Sequence, residues 1–216
     1  MSPRPKLDRV RKAQIRAAAA ELIAERGLAA TRVEDVAARA GTSKPAVLYW
    51  FTDKDELLSE ALTLQDEVFY GQLSARMESL DGAGAQLRLL LDAFLTSYEY
   101  RLWMELWVRA MRDPGTEATR QALDRRWRRM IAETIRRGQA AGEFGPGDPD
   151  DLALGLAALL DGLCVQLTLQ DPDVSRTRVA DIWIRAADSW LATSLRAVPA
   201  DGGADAAWHP LTPLDG

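Results

Sequence analysis

The chain has one cysteine, Cys164, and one histidine, His209, among 216 residues. A single thiol cannot close an internal disulfide, so the sequence suits a reducing compartment. No group of Cys, His and carboxylate side chains has metal-ligand spacing, so no metal is expected, and neither a glycine-rich phosphate loop nor a nucleophile elbow is present. His209 lies in a tail rich in Pro, Gly and Asp, and Cys164 lies in an apolar stretch, so neither has a visible partner for acid–base or nucleophilic chemistry. These absences argue against an enzyme and require no cofactor.

Long hydrophobic runs are also missing. The longest clean one, Leu152 to Leu160, falls well short of the roughly 20 residues of a membrane span, and Asp161 ends it. The opening MSPRPKLDRVRK is basic, but no apolar stretch follows it, so it does not read as a signal peptide. No membrane partner and a cytoplasmic location are the expectations. Strand signals are scarce as well, with no Asn-Gly pair and no sustained period-two alternation.

What remains is helical. The chain is 47% hydrophobic and 27% charged, enough apolar material for a substantial core. Gly27, Gly41, Gly82, Pro114-Gly115, the Gly142–Pro149 cluster and Asp171-Pro172 divide it into segments with helical spacing. The expectation is an all-α fold. A three-helix helix-turn-helix domain with a basic arm occupies 1–53, a larger helical domain 54–198, and a disordered tail 199–216. In the first helix Val10, Ile15, Ala18, Ala19, Leu22 and Ile23 form the inward stripe. Thr31 and Glu34 have the spacing of a capping box, Ser43 can cap the third helix, and Asp53 the fourth.

Charge is unevenly spread. Over the first 16 residues Arg4, Lys6, Arg9, Arg11, Lys12 and Arg16 stand against Asp8 alone, which leaves the rest of the chain more acidic than the net charge of −5. A basic end on an acidic body fits either a polyanion partner or a solvated tail.

The stretch SKPAVLYWF, from Ser43 to Phe51, is the most informative. Helical projection puts Val47, Leu48 and Phe51 on one face, as core, and Pro45, Ala46, Tyr49 and Trp50 on the other. An isolated helix this short is marginal in water, so the first face must hold it. The second face suits a major groove. Pro45 and Ala46 permit close approach and contact with thymine methyls, Lys44 reaches a guanine edge, and the Tyr49 hydroxyl and Trp50 indole N–H reach phosphate. The Thr42 and Ser43 hydroxyls at the helix start also suit phosphate. For Trp50, burial beneath the first helix is the competing reading.

Residues 21–62, ELIAERGLAATRVEDVAARAGTSKPAVLYWFTDKDELLSEAL, resemble the TetR family of bacterial transcriptional regulators through Ala40, Gly41, Ser43, Lys44, Phe51, Lys54 and Leu57. The resemblance implies an all-α homodimer on operator DNA, with a C-terminal domain that takes a small-molecule inducer. It implies base contacts from Lys44, Pro45, Ala46 and Tyr49 and a phosphate contact from Lys54. Two positions depart from the family pattern: Leu48 replaces a frequent tyrosine, and Arg32 replaces a frequent threonine, which strengthens a phosphate contact. The expected DNA-facing set is thus Arg32, Thr42, Ser43, Lys44, Pro45, Ala46, Tyr49, Trp50 and Lys54.

In the second half, RLWMELWVRAMRDP with the later GEF and LLDGL is similar to the BetI-like subgroup. Phe94, Tyr98, Trp103, Met104, Trp107, Trp127 and Met130 are candidates to line an apolar inducer pocket, where Glu99 or Glu105 would suit a cation; ordinary core packing is the alternative for each. Leu152, Leu156, Leu159, Leu163, Leu167, Trp183 and Trp190 are expected at a helical dimer interface, with burial inside one subunit as the alternative. The function expected is a ligand-responsive repressor on a pseudo-palindromic operator, in the bacterial cytoplasm at the nucleoid. A regulator of the same fold that senses no ligand is the other reading.

Overall fold

The computed structural model describes residues 4–97 and 100–195. The tail expected to be disordered, with His209, lies outside the described residues, as do Tyr98 and Glu99. Nine helices and no strand occur among the described residues: α1 Arg4–Ala30, α2 Val33–Arg39, α3 Lys44–Trp50, α4 Lys54–Glu78, α5 Ala83–Ser97, α6 Tyr100–Ala110, α7 Pro114–Ala140, α8 Pro149–Thr168 and α9 Arg176–Trp190.

The chain forms two compact units. One holds the residues up to Tyr70 together with Arg101–Gln121. It thus extends past the expected 1–53 segment and takes in α6 and the start of α7. Its core is built from Ile15, Leu22 and Ile23 of α1, Val36 of α2, Val47 and Phe51 around α3, Leu57 and Leu58 of α4, and Leu106 of α6. Of the expected inward stripe of α1, Ile15, Ala18, Ala19, Leu22 and Ile23 are buried, and the side chain of Val10 lies outside those described. Near its C-terminus α1 breaks at Gly27, whose φ of +82° is left-handed. The Glu105 carboxylate of α6 accepts a hydrogen bond from Ala29 N–H at 3.0 Å just beyond the break.

The capping box expected at Thr31 and Glu34 does not form. Residue 32 is the N-cap of α2 and makes no side-chain cap. The Thr31 hydroxyl instead donates back to Gly27 O at 2.8 Å, closing the irregular end of α1. The other two caps are present. Ser43 Oγ accepts from Ala46 N–H. Asp53 Oδ1 accepts from Glu56 N–H at 2.8 Å while Glu56 reaches back to Thr52 N–H at 2.6 Å, so one orphan donor of α4 and the N–H of the residue before its cap are satisfied reciprocally.

The other unit holds Gly71–Tyr100 and the residues from Ala122. Leu87, Leu90 and Leu91 of α5, Ile131 and Ile135 of α7, Leu156 and Leu160 of α8, and Trp183 of α9 fill its core. The GEF triplet has a structural explanation here. Gly142 turns the chain at φ +76°. Glu143 accepts from Ala83 N–H and Gly84 N–H, both at 3.0 Å, and so caps α5. Phe144 lies so close over Gly138 that a Cβ there would stand 2.2 Å from the ring.

By length and composition α8 suffices to cross a membrane, which the short apolar run did not suggest. Its Leu156 carbonyl accepts a 2.9 Å bond from the buried Trp183 indole of α9, so one side of α8 belongs to the protein core.

Candidate nucleic-acid interface

The joint between α2 and α3 is built from backbone geometry. Gly41 adopts φ +62°, Gly41 N–H donates to Ala38 O at 3.2 Å, and Thr42 N–H donates to Ala37 O at 2.8 Å. This pairing satisfies the last carbonyls of α2 and turns the chain sharply. A Cβ at Gly41 would meet nothing within 4 Å, so conformation rather than space makes glycine the residue of choice. Behind the joint, Arg39 clasps Glu25 with both terminal nitrogens at 2.9 Å and Glu21 at 3.0 Å. That fork fixes the end of α2 to α1.

α3 is held by two side chains. Val47 and Phe51 are fully buried. Leu48, expected beside them, is 40% exposed. The projection treated Phe51 as helical, but α3 ends at Trp50 and Phe51 is extended, with φ −131° and ψ 123°. Phe51 is buried all the same, and Leu48 is left on the surface. Tyr49 is 78% exposed, and its ring meets Trp50 edge-on at 4.9 Å. Trp50 is half-buried, between its two expected placements.

Of the expected DNA-facing residues, Arg32, Ser43, Lys44, Pro45 and Tyr49 are exposed, and Thr42, Ala46, Trp50 and Lys54 are half-buried. All belong to the first unit. Burial, then the Arg109 guanidinium, holds the Lys54 ammonium below the usual lysine range. Two exposed residues beside these were not in the expected set. Leu48 is one. Glu34 is the other: its Oε1 lies 2.6 Å from Lys44 Nζ, and that contact holds its carboxyl below the usual range. The Glu34–Lys44 separation, ten positions across a turn, carries no sequence signal of its own.

The basic arm is smaller than its charge suggested. Lys12 and Arg16 both pair with Glu60 at 3.1 Å, and Lys12 Nζ lies 5.2 Å from the centre of the Phe51 ring. These two cations bind α1 to α4 and to the anchor of α3.

The candidate inducer residues divide between the units. Trp103, Met104 and Trp107 are half-buried on α6 in the first. Phe94, Trp127 and Met130 belong to the second. There the Phe94 ring lies 5.3 Å from Trp127 and 5.9 Å from Tyr100, and the Tyr100 hydroxyl contacts Asp161 Oδ1 at 3.2 Å and Asp161 O at 3.0 Å. Burial, reinforced by Asp124, pushes Asp161 up to about 6 against the pull of the Tyr100 bond. Trp127 Nε1 is buried and finds no hydrogen-bond partner among the described residues. Tyr100 and Asp161 were not among the candidates. Glu105, considered for a cation, is committed to Ala29 N–H. A cavity of about 700 Å³ in the first unit is lined by Asp53, Asp55, Glu60, Glu67, Asp113 and Arg16 among others and shares no residue with the candidate set.

The expected dimer residues separate by burial. Leu156 and Trp183 are fully buried within the subunit, because α8 packs on α9 along them, and they are therefore unavailable to a partner. Leu152, Leu159, Leu163 and Leu167 are half-buried. Trp190 is 43% exposed and Leu154, not expected, 47%. Gly155 accommodates the Trp190 ring, which a Cβ would approach to 3.0 Å.

Comparison with known proteins decides the family. Residues 15–61 match "Bacterial regulatory proteins, tetR family", and residues 83–200, more than half of the chain, match "BetI-type transcriptional repressor, C-terminal". The chain belongs to the TetR family. This TetR-family chain is 25% identical over 183 residues to the HTH-type transcriptional regulator BetI of Escherichia coli strain K12, covering 82% of this chain and 91% of that protein. It superposes on a transcriptional regulator from Saccharomonospora viridis, solved in complex with choline, with a TM-score of 0.71 at 28% identity, covering 82% of this chain and 95% of that one. A TetR-family regulator from Rhodococcus sp. gives 0.69 at 27% identity, with 84% and 98% covered. The TetR-family chain is accordingly a DNA-binding transcriptional regulator of helix-turn-helix type, and its relatives are regulators rather than enzymes.

Proposed function

We propose that this regulator is a repressor that binds a pseudo-palindromic operator as a homodimer and is released by a small molecule. Residues 1–53 read DNA, and residues 54–198 take ligand and dimerise. The observation that carries the reading is α3 itself: anchored by Val47 and Phe51, it presents Lys44, Pro45 and Tyr49 to solvent. Lys44 and Tyr49 address base edges, and Arg32, Thr42, Ser43, Trp50 and Lys54 address phosphate. Leu48 joins the base-facing set, where a leucine recognises a thymine methyl. In the dimer the two α3 helices sit about 34–36 Å apart on successive major grooves, and α8 and α9 of each subunit form the interface through Leu159, Leu163 and Trp190. The repressor works in the cytoplasm, at the nucleoid.

For the ligand, the joined rings of Phe94, Tyr100 and Trp127, ending on the half-buried Asp161 carboxylate, support a cation. The choline complex of the Saccharomonospora viridis regulator supports the same class. Release requires that the ligand bind the DNA-free conformation better. The test is displacement of the purified protein from a duplex selected from a random pool, with quaternary ammonium compounds as probes. Concentration-dependent release that Asp161→Asn abolishes is the expected result. Binding to the duplex that no such compound affects would leave the ligand-free reading in place.

A further inference from the structure

The reading lysine of α3 is already engaged before DNA arrives. Lys44 Nζ lies 2.6 Å from Glu34 Oε1, although both side chains are more than half exposed. Glu34 sits in the first turn of α2 beside Asp35, and the Lys44 contact outweighs the nearby Arg32 charge in its environment. A carboxylate therefore stands on the surface assigned to a polyanion, where simple charge matching would exclude it. An ammonium has three donors. One can stay on Glu34 while the others reach acceptors on a base edge close by. Swinging out to a phosphate takes Nζ away from Glu34 and leaves a carboxylate facing the DNA backbone.

We propose that Glu34 is a selectivity residue: by holding Lys44 at the α2–α3 joint, it keeps the lysine on base edges and off the phosphate backbone. Glu34 thus lowers non-specific affinity more than operator affinity. This rests on the reading of α3 as the DNA-facing helix.

The test measures affinity by fluorescence anisotropy for two duplexes, one selected by the wild-type protein from a random pool and one with the same bases scrambled, over a series of salt concentrations. Glu34→Gln is expected to raise affinity for the scrambled duplex about two- to fivefold, the scale of one exposed ion pair. The gain for the selected duplex is smaller, so the ratio between the two falls. The salt dependence on the scrambled duplex steepens by about one in log–log slope per released lysine. Glu34→Ala, favourable in a helix, gives the same shifts. In a Lys44→Met background the ratio no longer responds to Glu34→Gln, because no ammonium is released. An unchanged ratio in the Lys44-containing protein, or an equal fall in both backgrounds, overturns the proposal. Failure of the wild-type protein to bind any duplex instead overturns the assignment of α3.

Discussion

Single side chains divide by the kind of partner each meets. Lys44 and Tyr49 project from α3, whereas Lys54 starts α4 and is partly withdrawn from water. Replacing Lys44 or Tyr49 with alanine should relax base preference at particular positions by about tenfold. Lys54→Ala should weaken all sequences alike and lower the salt slope by about one. A binding-site selection on each variant separates the two patterns. Asp161 offers a different test. Its folded value, about 6, lies above its ordinary 3.8, so the folded state holds the proton more tightly. Its stabilising contribution is present below about pH 4 and is lost as pH rises through 6. Asp161→Asn should remove that slope from thermal midpoints measured between pH 4 and 6; an identical slope would place its origin elsewhere. Ser43, Asp53, Val47 and Phe51 were readable in the sequence because caps and buried apolar residues have short-range signatures. Glu34 and Leu48 were not, because one depends on a contact across a turn and the other on how the rest of the unit packs around a seven-residue helix.

Helices have boundaries set by breakers, which is why most were legible. The Gly41 turn, the Asp53 cap and the Gly142–Pro149 cluster mark ends that the structure shows. α5 and α6 read as one apolar stretch because neither glycine nor proline separates them, and their division into different units follows from packing alone. Thr31 misled for a related reason: its capping-box spacing competes with the Gly27 carbonyl, and the carbonyl wins. At this scale the GEF turn is the joint to test. Glu143→Ala removes the cap of α5 and should cost about 0.5–2 kcal/mol. Gly138→Ala drives a methyl into the Phe144 ring and should cost about 1–3 kcal/mol. Urea denaturation monitored by circular dichroism measures both. Insensitivity at Gly138 would mean that Phe144 moves aside at little cost. α6 is tied to the first unit twice, by Glu105 on Ala29 N–H and by the Arg109–Asp55 ion pair, which places a helix from the middle of the chain in the same unit as the helix-turn-helix.

For the whole molecule, the helical class could be read from composition, breakers and spacing, and the helix-turn-helix from the Gly41 turn together with the family resemblance around it; the placement of α6 and the start of α7 in the first unit could not. Which leucines of α8 are free could not, since an all-round apolar helix looks the same from every side. The structure separates them. Leu156→Ala should destabilise the subunit by about 2–5 kcal/mol, whereas Leu159→Glu should leave the fold intact and shift sedimentation at micromolar concentration from dimer to monomer. A dimer unaffected by Leu159→Glu would move the interface off this face. Operator recognition by this molecule rests on α3 reading DNA. The most direct test is a random-duplex selection with the purified wild-type protein and with Tyr49→Ala. The wild type should enrich two inverted half-sites centred about one helical turn apart, and Tyr49→Ala should lose base preference at matching positions in both halves. No enrichment, or an identical motif from both proteins, would contradict it.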